Sequence, residues 1–315
     1  MELNMKLFKI LLLTVIIAFI TIIISFWKAD LSSAELEKKY GTPPSSFVIV
    51  NDTRVHFRDQ GNKLDTLPIL LIHGTGASLH TWEKCISKLD KQKRILTLDL
   101  PAYGLTGPNP KRDYSISYYV EFLNEFIKKL GITHLIIGGN SLGGMISWNY
   151  ALQYPEKVNK LILIDASGFS FKSKSKPLAF TLARIPVIKN SLLYISPRFI
   201  ARKSVENVYF NPELVTDTIV QRYFDLFLRE GNRQAFIDRM EEAYSDVNIG
   251  NISKIYQKTL IIWGDYDQLI PLTSGHLFAQ KLPNNSFVVI KNCGHVPMEE
   301  KPDETANAIN NFLKT

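Results

Sequence analysis

Cysteine is nearly absent: Cys85 and Cys293 are the only two, and they lie far apart in sequence. Two distant thiols cannot build a disulfide framework, and no Cys/His spacing fits a zinc site. No G-x-G-x-x-G unit and no Walker A loop follows a strand-like run, so nucleotide cradles find no support. No internal repeat is evident. Glycine (17) and proline (15) are at ordinary levels beside 45% hydrophobic and 21% charged residues. That composition excludes collagen-like, low-complexity and disordered chains. Its 315 residues allow a sizeable core in one large domain or two medium ones.

Acid is missing from one stretch. Between Phe169 and Val205 lie Lys172, Lys174, Lys176, Arg184, Lys189, Arg198, Arg202 and Lys203, with no Asp or Glu among them. These eight charges exceed the net +7 of the chain, so the remainder sums to −1. The basicity is local, no nucleic-acid module accompanies it, and no nucleic-acid partner is expected.

Charge is also missing from Ile10 to Trp27, preceded by Lys6 and Lys9. A helix of that length reaches about 27 Å, close to the hydrocarbon thickness of a bilayer. Trp27 suits the far interface. Ser25, Phe26 and Trp27 make a poor cleavage site, so an uncleaved single-pass anchor over residues 10–27 is expected, with a cleaved signal as the alternative. Lys6 and Lys9 nearly balance Lys28, Lys38 and Lys39 across the run. The signal-anchor default then puts the main domain outside the cytoplasm, on the periplasmic or exoplasmic side. Residues 29–45 are polar, contain Gly41-Thr42-Pro43-Pro44, and read as a linker.

Beyond Ser46 strands and helices alternate. Phe47–Val50 and Arg54–Arg58 read as strands around an Asn51-Asp52 turn. Ile69–His73, Ile95–Asp99, His134–Gly138, Leu161–Asp165, Leu260–Trp263 and Phe287–Ile290 read as further strands. Helices are expected over Ile116–Leu130, Leu142–Tyr154, Ser274–Leu282 and from Asp303. This is the pattern of an α/β protein with a mostly parallel sheet covered on both faces. Residues 171–250 interrupt it with helix and loop only. The expected organisation is an anchor (1–28), a linker (29–45), a core in two parts (46–170 and 251–315) and a helical cap (171–250).

Gly139-Asn140-Ser141-Leu142-Gly143 matches G-x-S-x-G, with Gly144 following. The pattern alone is weak. Its place between an apolar strand and a helix is what a nucleophile elbow requires. Here the chain resembles the α/β-hydrolase family over about Phe47 to Leu313. His73-Gly74-Thr75-Gly76, Trp263-Gly264-x-x-Asp267 and Gly294-His295 carry the resemblance further, in the family order of serine, acid, histidine. Pro101-Ala102-Tyr103-Gly104-Leu105-Thr106 departs from the family's usual loop, which affects pocket shape rather than chemistry.

The resemblance implies a serine hydrolase. Ser141 is the expected nucleophile, His295 the base that activates it and Asp267 the acid behind the base. Asp165, after the preceding strand, is the other possible acid site; Asp265 reads as a turn former. His73 is expected to shape the oxyanion loop, and His56, His80, His134 and His276 to be surface or packing residues. The oxyanion donors are the backbone amides of Leu142 and Thr75, with Gly76 in reserve. A serine rather than an aspartate at the elbow implies acyl transfer. No metal or organic cofactor is required.

The cap is apolar around Pro177–Ile188 and Leu192–Ile200. Together with the anchor it is similar to membrane-anchored monoacylglycerol lipase-like esterases. An apolar ester or lipid substrate follows, with the basic cap residues 172–203 as a second membrane contact. The same triad on another electrophile (a C–C bond hydrolase or perhydrolase) and a non-catalytic ligand receptor are the alternatives.

Overall fold

The computed structural model describes residues 2–242 and 249–315. Eight strands form one sheet: β1 Ser45–Val50, β2 Thr53–Gly61, β3 Ile69–Ile72, β4 Arg94–Leu98, β5 Leu135–Asn140, β6 Val158–Ile164, β7 Lys258–Gly264 and β8 Asn285–Ile290. Their order is β1-β2-β4-β3-β5-β6-β7-β8. The β1/β2 and β2/β4 pairs are antiparallel, and every other pair is parallel. Each strand expected from the sequence is present.

The apolar runs do what their continuity dictates. All of β3 and β5 is buried, because helices cover both faces. Along β3, Leu70 and Ile72 enter one core while Ile69 and Leu71 enter the other. Helix Ile116–Lys129 starts where the Ser115 side chain accepts the Tyr118 N–H and ends ahead of Gly131, whose φ is 67°. It lays Tyr119, Phe122, Leu123 and Phe126 on the first core.

The inserted cap is helix and loop throughout its described part, with helices Leu178–Leu182, Pro186–Lys189, Arg198–Glu206, Asp217–Phe227 and Asn232–Glu241. Its expected final residues include 243–248, which lie outside the described residues. Helix Glu2–Phe26 precedes everything, and its stretch Asn4–Phe26 is long and apolar enough to cross a membrane.

The stretch expected as a linker is structured. Ser32 caps helix Ser33–Tyr40, and Leu36 from that helix is buried with Leu105 and Leu226. Trp27 stacks on Tyr194 of the cap with ring centroids 5.1 Å apart. Asp30 holds the buried Arg233 at 2.7 Å, and Arg233 also donates to the Lys28 carbonyl. Composition reads this stretch as a tether because its polar residues outnumber Leu31 and Leu36, which pack.

Candidate active site

Strand β5 runs straight into Ser141, and helix Leu142–Gln153 leaves from it. Ser141 sits at φ 54° and ψ −114°. A residue with a Cβ rarely adopts such a backbone, and holding it there costs about 1–3 kcal/mol. The reversal needs its glycines. A Cβ on Gly139 would come within 2.4 Å of the Gly143 backbone, and one on Gly143 within 2.2 Å of the Ile72 carbonyl oxygen. The strained turn is tied down on both sides: Ser141 N–H donates to Ile164 and the Ser141 carbonyl accepts from Ser167.

Asp267 stands beyond the end of β7. Its Oδ1 accepts N–H bonds from Leu269 (2.8 Å) and Ile270 (2.9 Å). Its Oδ2 lies 2.6 Å from Nδ1 of His295, which follows β8. An ionised carboxylate only accepts, so Nδ1 carries the proton and Nε2 is left as the basic nitrogen. His295 is fixed through its backbone as well. Its N–H donates to Val208 in the cap, and its carbonyl accepts from Asn140 Nδ2 at 2.9 Å.

Ser141, His295, Thr75 and Asn140 border one cavity of about 120 Å³. Pro177, Phe180, Leu192, Ile200 and Phe227 close it from the cap side. The fold therefore brings the expected serine, histidine and second oxyanion residue to one enclosure between core and cap. Leu142 opens the helix after Ser141, with its side chain in the core. Gly74 approaches the serine so closely that a Cβ there would lie 3.1 Å from the Ser141 Cβ.

The other candidates separate cleanly. Asp265 takes the Cys293 N–H at 3.4 Å, holding the loop that carries His295. Asp165 is fully buried beside Asp267 instead of touching solvent. Among the described residues, Asp165, Asp267 and His295 form the one His/Cys/Asp/Glu cluster tight enough for a metal ion. With Asp267 already accepting two backbone N–H bonds and the His295 ring, its donor set is that of a hydrogen-bond relay. His73 is buried, and its Nε2 accepts the Leu100 N–H while Nδ1 donates to the Gly74 carbonyl. Burial pushes its pKa down. It braces the loop that presents Thr75. His134 and His276 are exposed.

His56 and His80 are buried, not on the surface. His56 Nδ1 lies 2.7 Å from Asp99 Oδ2, and its Nε2 lies 2.8 Å from the Ser45 hydroxyl. Asp99 also accepts the Leu79 and Leu105 N–H groups, both at 2.7 Å. The loop Pro101–Thr106 thereby folds around Asp99, with Ala102 at φ 84° and Gly104 at φ 54°. Burial would raise the Asp99 pKa, but the His56 ring bonded to it holds it below its usual value.

Two supporting residues carry no sequence signal. Asn140 occupies the variable position of the elbow, yet it anchors the His295 carbonyl. Glu300 accepts N–H bonds from Gly294 (2.7 Å), Phe210 (3.1 Å) and Asn211 (2.7 Å). Adjacent glutamates, as at Glu299 and Glu300, read as a solvated face; here both are buried.

Residues 68–302 match the alpha/beta hydrolase fold family, and the chain belongs to that family. It is a hydrolase of that fold with lipases among its relatives. Lipase 3 of Moraxella sp. (strain TA144) is 29% identical over 76% of this chain and 75% of its own length. Monoacylglycerol lipase ABHD6 of Homo sapiens is 27% identical over 78% of this chain and 74% of its own. Among solved structures, a bacterial membrane phospholipase A superposes with a TM-score of 0.72 at 25% identity, covering 99% of this chain and 98% of that one. A meta-cleavage product hydrolase from Pseudomonas fluorescens IP01 superposes with a TM-score of 0.71 at 23% identity, covering 85% and 97%.

Proposed function

We propose that this protein is a membrane-anchored serine carboxylic ester hydrolase acting on lipid or other apolar acyl esters. The observation that carries this reading is the His295–Asp267 contact at 2.6 Å, with His295 and the strained Ser141 both lining one apolar cavity. Ser141 Oγ attacks the ester carbonyl while His295 Nε2 takes its proton. Asp267 stabilises the imidazolium that results. Backbone N–H groups of Leu142 and Thr75 receive the oxyanion, each worth about 3 kcal/mol of barrier. The imidazolium then protonates the leaving alcohol, and water hydrolyses the acyl-serine by the reverse sequence. The lipases among the relatives support an ester substrate. The cavity of about 120 Å³ is apolar and opens partly to solvent, which suits an apolar acyl group.

The test is a rate profile over p-nitrophenyl esters of increasing acyl length, with fluorophosphonate labelling of the same preparation. Labelling with turnover supports the reading. Labelling without ester turnover favours a different electrophile, as in C–C bond hydrolysis. No labelling leaves a ligand receptor.

Asn4–Phe26 acts as the anchor and holds the domain outside the cytoplasm. The cap supports a second membrane contact: Ile185, Val187, Ile188, Tyr194 and Phe199 are exposed, and Phe26 and Trp27 pack against the last two. Of the eight basic residues here, Lys189, Arg198, Arg202 and Lys203 pair with Glu241, Asp217 or Glu206. Lys172, Lys174, Lys176 and Arg184 are exposed and make no ion pair among the described residues. Replacing the three lysines with Gln should weaken turnover on anionic vesicles and spare dissolved esters, since each charge contributes about 1 kcal/mol at best. Unchanged vesicle turnover would leave the helix as the sole membrane element.

A further inference from the structure

Asp165 stands at the carboxyl end of β6, next to β7, at φ 44°. Its side chain is wholly buried. Oδ1 accepts the Gly264 N–H at 3.0 Å, while no N–H among the described residues is directed at Oδ2. A carboxylate oxygen of Asp165, one of Asp267 and a ring nitrogen of His295 all lie within 4.8 Å of one another. An ionised Asp165 would put a second full charge against Asp267, with one oxygen bare in a fully buried site. Both the desolvation and the like-charge contact oppose that state.

We propose that Asp165 is a positioning residue for the catalytic acid: a neutral carboxyl group that donates a hydrogen bond from Oδ2 to Asp267. The titratable groups facing it are Asp267, the His295 ring, whose Nδ1 proton is given to Asp267, and Glu300 and Cys293, neither of which is a cation. Burial first, then the charge of Asp267, push the Asp165 pKa well above the usual carboxylate range. The donated bond completes the shell of Asp267, which already takes Leu269 and Ile270 N–H bonds on Oδ1. Two consequences follow. The carboxylate is held in the plane that meets Nδ1 of His295, and its basicity is lowered, so the imidazole stays unprotonated at a lower pH.

This inference rests on the acyl-transfer reading for its kinetic readout, and a second readout stands free of it. Asn is the diagnostic substitution. In Asp165→Asn, the amide oxygen still accepts from Gly264 and the amide N–H still donates to Asp267. The expected result is kcat/KM within about threefold of wild type and an unmoved acidic limb in the pH profile. Asp165→Ala keeps the cavity but loses the donor. It should lose roughly 10- to 100-fold in kcat/KM, the worth of a hydrogen bond to a charged group, with the acidic limb moved upward. The same order should appear in the titration of the His295 imidazole followed by NMR, with no substrate present. A limb and an NMR titration that move down in Asp165→Asn would overturn the proposal, because they would mean that a negative charge had been removed. So would an Asp165→Ala protein with unchanged rate and profile. If Asp165→Ala does not fold, the Asp165→Asn profile decides alone. Failure of wild type to turn over esters would sink the acyl-transfer reading and leave the NMR comparison to judge Asp165.

Discussion

Two histidine–aspartate pairs are buried at the carboxyl ends of this sheet, and in local geometry they are near copies. His295 and Asp267 meet at 2.6 Å, His56 and Asp99 at 2.7 Å, in each case through Nδ1 and Oδ2. Each aspartate accepts two backbone N–H bonds besides. His56 even has a serine hydroxyl at 2.8 Å from its Nε2. What differs is the surroundings. Ser45 begins an edge strand in ordinary extended pairing, and its hydroxyl also takes the Arg58 Nε–H at 3.2 Å. Ser141 is forced to positive φ at a helix start, beside the Gly74 backbone and on a cavity wall. A serine, a histidine and an aspartate in line do not by themselves make a site. The strained elbow, the close Gly74 backbone and the apolar cavity separate the arrangement proposed to work from the structural one.

The sharpest break between the two pairs is at the serines. Ser141→Ala should lose on the order of 10⁴-fold or more in kcat with the fold intact, because the members of a triad act as a unit. Circular dichroism and ester turnover measured on the same sample check it, and near-normal turnover would end the proposed mechanism.

The aspartates come next. Asp267→Asn should cost on the order of 10³- to 10⁴-fold in kcat, since the amide favours the wrong histidine tautomer. Asp99→Asn should instead lower stability by about 1–3 kcal/mol in urea melts, with the folded fraction retaining its kcat. If Asp99→Asn damages kcat at constant stability, the two pairs are not functionally distinct.

Acid should act around the His56–Asp99 pair through two buried neighbours of Asp99. Burial, opposed only in part by Asp99, holds the His80 pKa down to about 3, and burial also lowers that of His73. Both stay neutral in the fold while the unfolded chain takes up protons near pH 6.5. For His80 that stability is complete above about pH 6.5 and is lost as pH falls towards about 3, by about 1.4 kcal/mol per pH unit, and His73 adds a loss of the same sign. His80→Gln should remove one proton's worth of that slope in urea midpoints taken from pH 8 to pH 4. The smallest effect belongs to Ser45→Ala: turnover within about twofold of wild type, and about 1 kcal/mol off the stability.

The core strands and the elbow are legible in the sequence for one reason. Continuous apolar runs such as Ile69–Ile72 and Leu161–Ile164 have few other uses, and glycines on both sides of Ser141 are needed only where the chain doubles back. Asp267 against Asp165 is harder, because both follow neighbouring strands and spacing does not measure the gap to His295. The His56–Asp99 pair is invisible for the same reason, its partners being 43 residues apart. The segment 29–45 misleads because one buried leucine in an eight-residue helix leaves no periodicity to detect. The basic cap misleads in the other direction: its stretch contains no acid, but the fold carries Glu206, Asp217 and Glu241 onto half of its charges.

Glu300 also bears on how the enclosure can open. One buried carboxylate grips the histidine loop at Gly294 and the cap at Phe210 and Asn211, and the Val208 carbonyl grips the His295 N–H from the same side. Lifting the cap at this corner would strand a buried charge and unseat the base in one stroke. The corner thus binds the cap and the histidine loop into one unit. Along residues 178–193 the cap is held by apolar contact instead, with Ala183 and Leu192 buried and Phe180 and Leu182 packed on the core.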